Sequence, residues 1–211
     1  MLSSDLLHEI SQKETDKNEI VDRVIENPEL ITEVFEGLSA DKARIKYGCA
    51  KILRLLSEKK PEIIYPWFDF FAELLDSDNS FLKWDAIHVL GNLAAADSEG
   101  KFENILDRYL APIPGPVLIT AANVIGGAAK IVLARPALTG RVTREILKVE
   151  KAKYQTDECR NVALGQSIDS FDRFFPQIED KKPVIALVQR QLHNTRNSTR
   201  RKAEKFLKKW G

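Results

Sequence analysis

The chain is poor in the residues that most protein chemistry needs. Its 211 residues hold two cysteines, three histidines and one methionine. Cys49 and Cys159 stand 110 positions apart, so no paired-cysteine spacing for zinc exists. Both fall on the apolar stripe of a predicted helix, where a thiol behaves as a small apolar group. His8, His88 and His193 are scattered, and none has a partner at the i, i+4 spacing that puts two ligands on one helix face. No serine sits in a nucleophile-elbow context. Gly91 and the Gly126-Gly127 pair follow no strand, so they read as packing glycines and not as a phosphate loop. No apolar run approaches the roughly 20 residues that span a bilayer, and no stretch alternates with period two for long enough to make a strand. These absences leave no catalytic residue, metal or cofactor to name, and no membrane segment.

Composition points to a soluble globular chain, 44% hydrophobic and 30% charged. The first residues, MLSSDLLHEISQKETDKNEI, are acidic and lack a charged-then-apolar signal pattern, which sets the expectation of a cytoplasmic protein. Net charge is only +1, but it is unevenly placed. Residues 1–40 hold ten acids and three bases, whereas residues 181–211 hold ten bases and the single acid Glu204. The two ends should therefore carry local fields of opposite sign.

What is abundant is helical periodicity. The stretch IYPWFDFFAELLDSDNSFLKWDAIHVLGNL, residues 64–93, reads as two amphipathic helices joined by a polar turn. The first carries Ile64, Trp67, Phe68, Phe71, Leu74 and Leu75 at three-and-four spacing, and the second carries Leu82, Ala86, Val89, Leu90 and Leu93. The turn Asp76-Ser77-Asp78-Asn79 is rich in side chains that cap helices. Such a hairpin cannot bury its apolar side alone, and similar pairs lie on either side. One opens at Pro28 and continues with Ile45, Cys49, Ile52, Leu53 and Leu56. Another runs from Phe102 to Leu110, breaks at Ala111-Pro-Ile-Pro-Gly-Pro116, and resumes with Val117, Ala121, Val124 and Ala128. The last two open at Pro136 and Pro183, and the final pair includes Leu192. Aligning the second helices on their small residue gives Cys49, Ala86, Ala121, Ala163 and Ala203, at intervals of 37, 35, 42 and 40 residues. That period belongs to helical-hairpin solenoids.

On these residues the chain resembles HEAT repeats and the related armadillo class. Leu82-Lys83, Ala86-Ile87, Leu90-Gly91 and Leu93 are similar to the typical second helix of a HEAT repeat, and Val117, Ala121-Ala122, Ile125-Gly126 and Ala128 follow it nearly as well. The resemblance covers about residues 28–210. It implies an all-α fold, a right-handed α-solenoid of about five helical hairpins with an N-terminal cap. The expected organisation is a single domain over 1–211, with a cap at 1–27 and repeats at 28–58, 59–96, 97–135, 136–175 and 180–211. The resemblance also implies that Asp41 with Lys46, Asp78 with Lys83, and Asp157 with Arg160 link neighbouring repeats. It implies a non-enzymatic scaffold that holds a protein partner in its concave groove.

The second helices of such arrays line the groove, on the side opposite their apolar stripe. That places Tyr47, Lys51, Trp84, His88, Asn92 and Asn123 as groove-binding candidates, with Trp84, His88 and Asn92 four apart on one face. An aromatic, basic and amide stripe suits a peptide or a stacked base. The plain alternative is that Tyr47 and Trp84 only cover the seam between repeats. Asp85 beside Trp84 resembles the alkylpurine DNA glycosylases built from HEAT-like repeats, although the adjacent tryptophans of that family are missing. Nucleic-acid binding is therefore the alternative function. At the basic end Arg200, Arg201, Lys205 and Lys209 are the anion-binding candidates, suited to weak, salt-sensitive contact with nucleic acid or another polyanion. The plain alternative there is a solvated helix docked on the preceding repeat. The chain is expected to be a monomer.

Overall fold

A computed structural model describes residues 3–211. It is all-α among the described residues, and it divides into two compact units, Met1–Glu99 and Gly100–Gly211.

The first unit opens with α1 (Ser3–Ser11) and α2 (Lys17–Glu26). Leu6 and Ile10 of α1 and Ile20, Val21 and Val24 of α2 are buried, and both helices pack on α4 (Ala43–Lys59). Asp16 caps α2 by accepting from the Asn18 backbone N–H at 2.8 Å. Pro28 sits in the turn that leads into α3 (Leu30–Glu36), and α3 tightens into a 3₁₀ turn at Gly37–Ser39. The next first helix is not continuous, as its apolar spacing alone suggests. Pro66 removes one backbone N–H and crowds the preceding turn, and the chain answers with α5 (Pro61–Ile64), a 3₁₀ turn at Tyr65–Trp67, and α6 (Phe68–Glu73). The second helix, α7 (Ser80–Leu93), lies against α4.

The second unit holds three pairs: α8 (Lys101–Leu110) with α9 (Leu118–Ala134), α10 (Thr139–Leu147) with α11 (Asp157–Phe174), and α12 (Lys182–Arg190) with α13 (Asn197–Trp210). Helix α11 packs against both α9 and α13. Ser170 Oγ donates to the Ile125 carbonyl at 2.9 Å across the α9–α11 seam. The proline-rich link between α8 and α9 is pinned rather than loose. Gly115 has a φ of 99°, a conformation that suits glycine. The Lys153 N–H donates to the Pro114 carbonyl at 3.1 Å, and a Cβ on Gly115 would sit 2.7 Å from the Lys153 carbonyl oxygen.

The small residues aligned from the sequence, Cys49, Ala86, Ala121, Ala163 and Ala203, are each 0% exposed. Two stripe positions are exposed, and several more, among them Trp67, Leu74, Leu75 and Leu82, are only part-buried. Val117 and Leu192 are exposed because each lies at a helix end, one at the N-cap of α9 and the other in the 3₁₀ turn after α12. Cys159 is only part-buried, in the first turn of α11, whereas Cys49 is buried.

The expected Asp–Lys links between repeats are also corrected. Asp157 pairs with Arg160 at 2.6 Å, but within the first turn of α11. Neither Asp41 with Lys46 nor Asp78 with Lys83 forms a pair among the described residues. Amides take the role instead. Asn79 Nδ2 donates to Tyr47 Oη at 3.2 Å, and Asn194 Nδ2 donates to Asn161 Oδ1 at 2.9 Å. Asn161 Nδ2 then donates to Thr195 Oγ1 at 2.9 Å. In both units a residue of the turn before a second helix reaches the preceding second helix at the same repeat position. Neutral amides link the helices without the desolvation cost of a buried charge.

Ala86 lies where α7 meets its neighbours and has no exposure, so Ala86→Glu places an unpaired carboxylate in that seam. The expected loss is at least about 3 kcal/mol. Chemical denaturation of the variant checks it, and a midpoint equal to wild type would show that Ala86 can turn outward.

Candidate binding surface

Two helices of the first unit build the surface. Asn79 starts it, because its side-chain oxygen accepts from the backbone N–H groups of Phe81 at 3.1 Å and Leu82 at 3.3 Å. The cap fixes the first turn of α7, and the same amide grips Tyr47 on α4. Phe81 is thereby held between two rings. Its centroid lies 5.1 Å from Tyr47 and 5.4 Å from Trp84, the latter edge-on. Edge-on contacts of this length suit the ring quadrupoles. Phe81 is nonetheless 58% exposed. Tyr47 and Trp84 are part-buried, as is His88, one turn beyond Trp84 on α7.

Phe81 is the residue that sequence reasoning missed. It stands outside the groove positions counted from the stripe, one residue into α7. The available signal was its place three residues before Trp84, on the same helix face. Of the other candidates, Lys51 is exposed on α4, one turn after Tyr47, and lies within electrostatic reach of Asp16 and Lys17 at the start of α2. Asn92 is 8% exposed and donates to Ser57 Oγ at 2.9 Å, so it belongs to the α4–α7 seam and not to the open face. Asn123 stands part-buried on α9 in the second unit.

Asp85 makes an ion pair with Arg54 at 2.9 Å. Its side chain is 18% exposed, and burial raises its carboxyl above the usual range even though Arg54 opposes the shift. The carboxylate is engaged across the seam between α4 and α7 and is not presented to a ligand. Among the described residues no group of three metal-ligating side chains exists, and no helix is long and apolar enough to cross a membrane. Burial holds the Cys49 thiol up at about 12, which keeps it out of thiolate chemistry.

On α13 the basic candidates divide. The Arg200 guanidinium donates to the carbonyls of Asn194 at 2.7 Å and Thr195 at 3.1 Å, tying down the preceding turn. Lys209 pairs with Asp172 at 2.9 Å and lies over the Trp210 ring, 4.5 Å from its centroid. Trp210 Nε1 donates to the same carboxylate at 2.7 Å. Arg201 and Lys205 are exposed. They stand four apart on one face, with the exposed Lys208 a turn further on and the exposed acid Glu204 beside Lys205.

Comparison with known proteins places the fold. No protein-family profile matches the chain, and no curated protein matches it. Among solved structures it is similar to a designed armadillo repeat protein, with a TM-score of 0.61 and 12% identity over 98% of this chain and 92% of that one. An engineered protein gives a TM-score of 0.55 and 14% identity over 98% and 87%. The chain is thus an all-α solenoid of the armadillo and HEAT type. At such identities the likeness concerns fold alone.

Asp172 anchors the end of α13, and it yields a pH test. Burial opposes its ionisation, but the hydrogen bonds from Lys209 and Trp210 outweigh that and hold the carboxyl below the usual range. A depressed acid contributes stability that is present above its unfolded value and is lost as pH falls through the folded value. Asp172→Asn should therefore melt a few degrees below wild type at neutral pH, with the gap closing in acid. Thermal melts of both proteins across pH check this, and a gap that persists unchanged into acid would remove the charge from the anchor.

Proposed function

We propose that the protein is a non-enzymatic, cytoplasmic scaffold that binds a protein partner, as a monomer, on a surface centred on Tyr47, Phe81, Trp84 and His88. The observation that carries this reading is Phe81, a large apolar ring that is mostly exposed yet fixed by a cap and two ring contacts. An isolated exposed phenylalanine needs no explanation, whereas an exposed cluster of held aromatics marks an interaction site. Aromatic anchors dominate binding energy at interfaces, and an anchor already ordered loses little entropy when it docks. His88 on the same face of α7 and Lys51 on α4 add polar groups beside the rings. The armadillo-type fold supports a binding role by analogy.

The double variant Phe81→Ser and His88→Ala tests the surface. Both positions are away from the buried stripe, so helical content and melting temperature should stay near wild type. Capture of a partner from an extract of the native host should be lost. A variant that folds normally and still captures the same partner would overturn the reading.

A second reading, contact with a polyanion, is favoured by the exposed pair Arg201 and Lys205. Two or three phosphate contacts give weak, sequence-independent binding that falls steeply between about 50 and 200 mM salt. Arg201→Glu with Lys205→Glu should abolish retention on heparin and leave the fold intact. The same charge reversal at Arg200 or Lys209 should lower the melting temperature as well, because those two are structural. Retention of the first double variant equal to wild type would remove α13 as the anion site.

A further inference from the structure

Helix α4 is a basic element in an acidic part of the chain. Its charged residues are Arg44, Lys46, Lys51, Arg54 and Lys59 against the acid Glu58 alone. Arg54 is engaged by Asp85 at 2.9 Å and Lys59 by Asp22 at 2.7 Å. Arg44, Lys46 and Lys51 make no ion pair among the described residues.

Arg44 and Lys51 are exposed. They stand three residues before and four after Tyr47, so the three share one face of α4. Helices α7 and α2 both pack on α4. Helix α7 brings the exposed Phe81 ring to 5.1 Å from the Tyr47 ring. Helix α2 brings Lys17, which donates to the Ile10 carbonyl at 2.8 Å and lies within electrostatic reach of both Arg44 and Lys51. Burial first, and these two cations with it, hold the Lys17 ammonium below its usual range. The exposed Asp16 reaches Lys51, but its carboxylate already accepts from the Asn18 backbone and side chain at 2.8 and 3.0 Å. Asp41 and Asp78 are exposed in the turns before α4 and α7, past the Arg44 end of this face.

Unpaired positive charge beside a held, exposed ring defines what docks there. The rings favour an apolar anchor that leaves water. The cations favour carboxylates, and such complementarity selects among partners. A rise of about 1.5 Å per residue sets the Cα atoms of Arg44 and Lys51 about 10 Å apart. An extended chain covers that distance in about three residues. A long polyanion fits less well, because beyond this face it meets residues 1–40, which hold ten acids and three bases. We propose that the Tyr47–Phe81 surface takes a short acidic segment of a protein partner. One large apolar side chain of that segment docks on Phe81, and flanking carboxylates meet Arg44 and Lys51. This rests on the scaffold reading and adds the chemistry of the partner.

Fluorescence anisotropy of the full chain with labelled, end-blocked peptides SGEFGESG, SGQFGQSG and SGKFGKSG tests it. The acidic peptide should bind about tenfold more tightly than the neutral one, and the basic one more weakly still. That advantage should shrink as salt rises from about 50 to about 300 mM. Arg44→Glu with Lys51→Glu should melt as wild type does, since neither residue has an ion pair to lose, and should make the basic peptide the tightest. Phe81→Ser should weaken all three about tenfold. Equal binding of the three peptides, or an order that neither salt nor the double variant changes, would overturn the acidic assignment. The aromatic surface would still stand if Phe81→Ser weakened them. Binding that Phe81→Ser leaves untouched would overturn that surface as well. A thymidine trinucleotide, which carries the same charge as the acidic peptide, would overturn the peptide class if it bound more tightly. No binding of any peptide would overturn the acidic segment, while capture from the native extract would still decide the scaffold reading.

Discussion

The close approach of neighbouring second helices is the constraint on which the rest of the structure depends. A hairpin of two short amphipathic helices leaves an apolar side in water, and only another hairpin can cover it. Each second helix carries a small residue at the aligned stripe position, and every one of these is buried. Once α4 and α7 lie side by side, the turn before α7 comes beside the first turn of α4. A capping residue in that turn can then do two jobs. Asn79 caps α7 with its oxygen and links to Tyr47 with its nitrogen. In the second unit Asn194 occupies the corresponding turn, reaches Asn161 and also accepts from the Arg196 backbone N–H at 2.8 Å.

Charges play a lesser part in holding the fold. Arg23 with Glu9, Lys59 with Asp22, and Lys209 with Asp172 are each largely exposed on at least one side. Exposed pairs contribute little, because water already solvates both partners and ordering two long side chains costs entropy. Arg54 with Asp85 is different, being the more enclosed pair. A short contact alone would suggest an acid held well below its usual range. Burial acts in the opposite direction on Asp85 and wins. The pair therefore fixes how α4 and α7 meet more than it strengthens their contact, while removal of Arg54 alone would leave a buried carboxylate without compensation.

Helices, their pairing and the buried small residues were legible in the sequence, because spacing encodes them directly. The apolar stripe predicts burial at Cys49, Ala86, Ala121, Ala163 and Ala203, and all five are buried. Helix ends were less legible. Val117 and Leu192 continue an apolar rhythm past the point where the backbone leaves the helix, so the rhythm misplaces them. Pro66 was visible, yet the spacing around it concealed the break it makes. The links between repeats were placed on the wrong chemistry, since a resemblance carries residue types over and cannot show that an amide one position away does the work. Surface roles were the least legible. Phe81, Asn92, Arg200 and Lys209 differ in function because of what folds over them, and that depends on residues some 30 positions away or on the turn just before.

The division of labour along each second helix explains how such a chain can carry a binding surface at little cost to its stability. Residues on one face of α7, Ala86, Val89, Leu90 and Leu93, are buried and hold the helix in place. Phe81, Trp84 and His88 lie on another face, away from that buried stripe. On α13 the partition is less complete. Arg200, Lys209 and Trp210 all turn back onto the protein, which leaves Arg201 and Lys205, with Lys208 a turn beyond, among the exposed charges of α13. At physiological salt, interactions between exposed charges fade beyond about 8 Å. Two cations four residues apart can thus grip a single anionic group in contact but cannot steer a partner from a distance. The aromatic cluster suffers no such limit, because its attraction comes from apolar surface leaving water, which salt does not screen. Of the two exposed surfaces, the one around Phe81 is better built for a specific and lasting contact, and the one on α13 for a brief, electrostatic one.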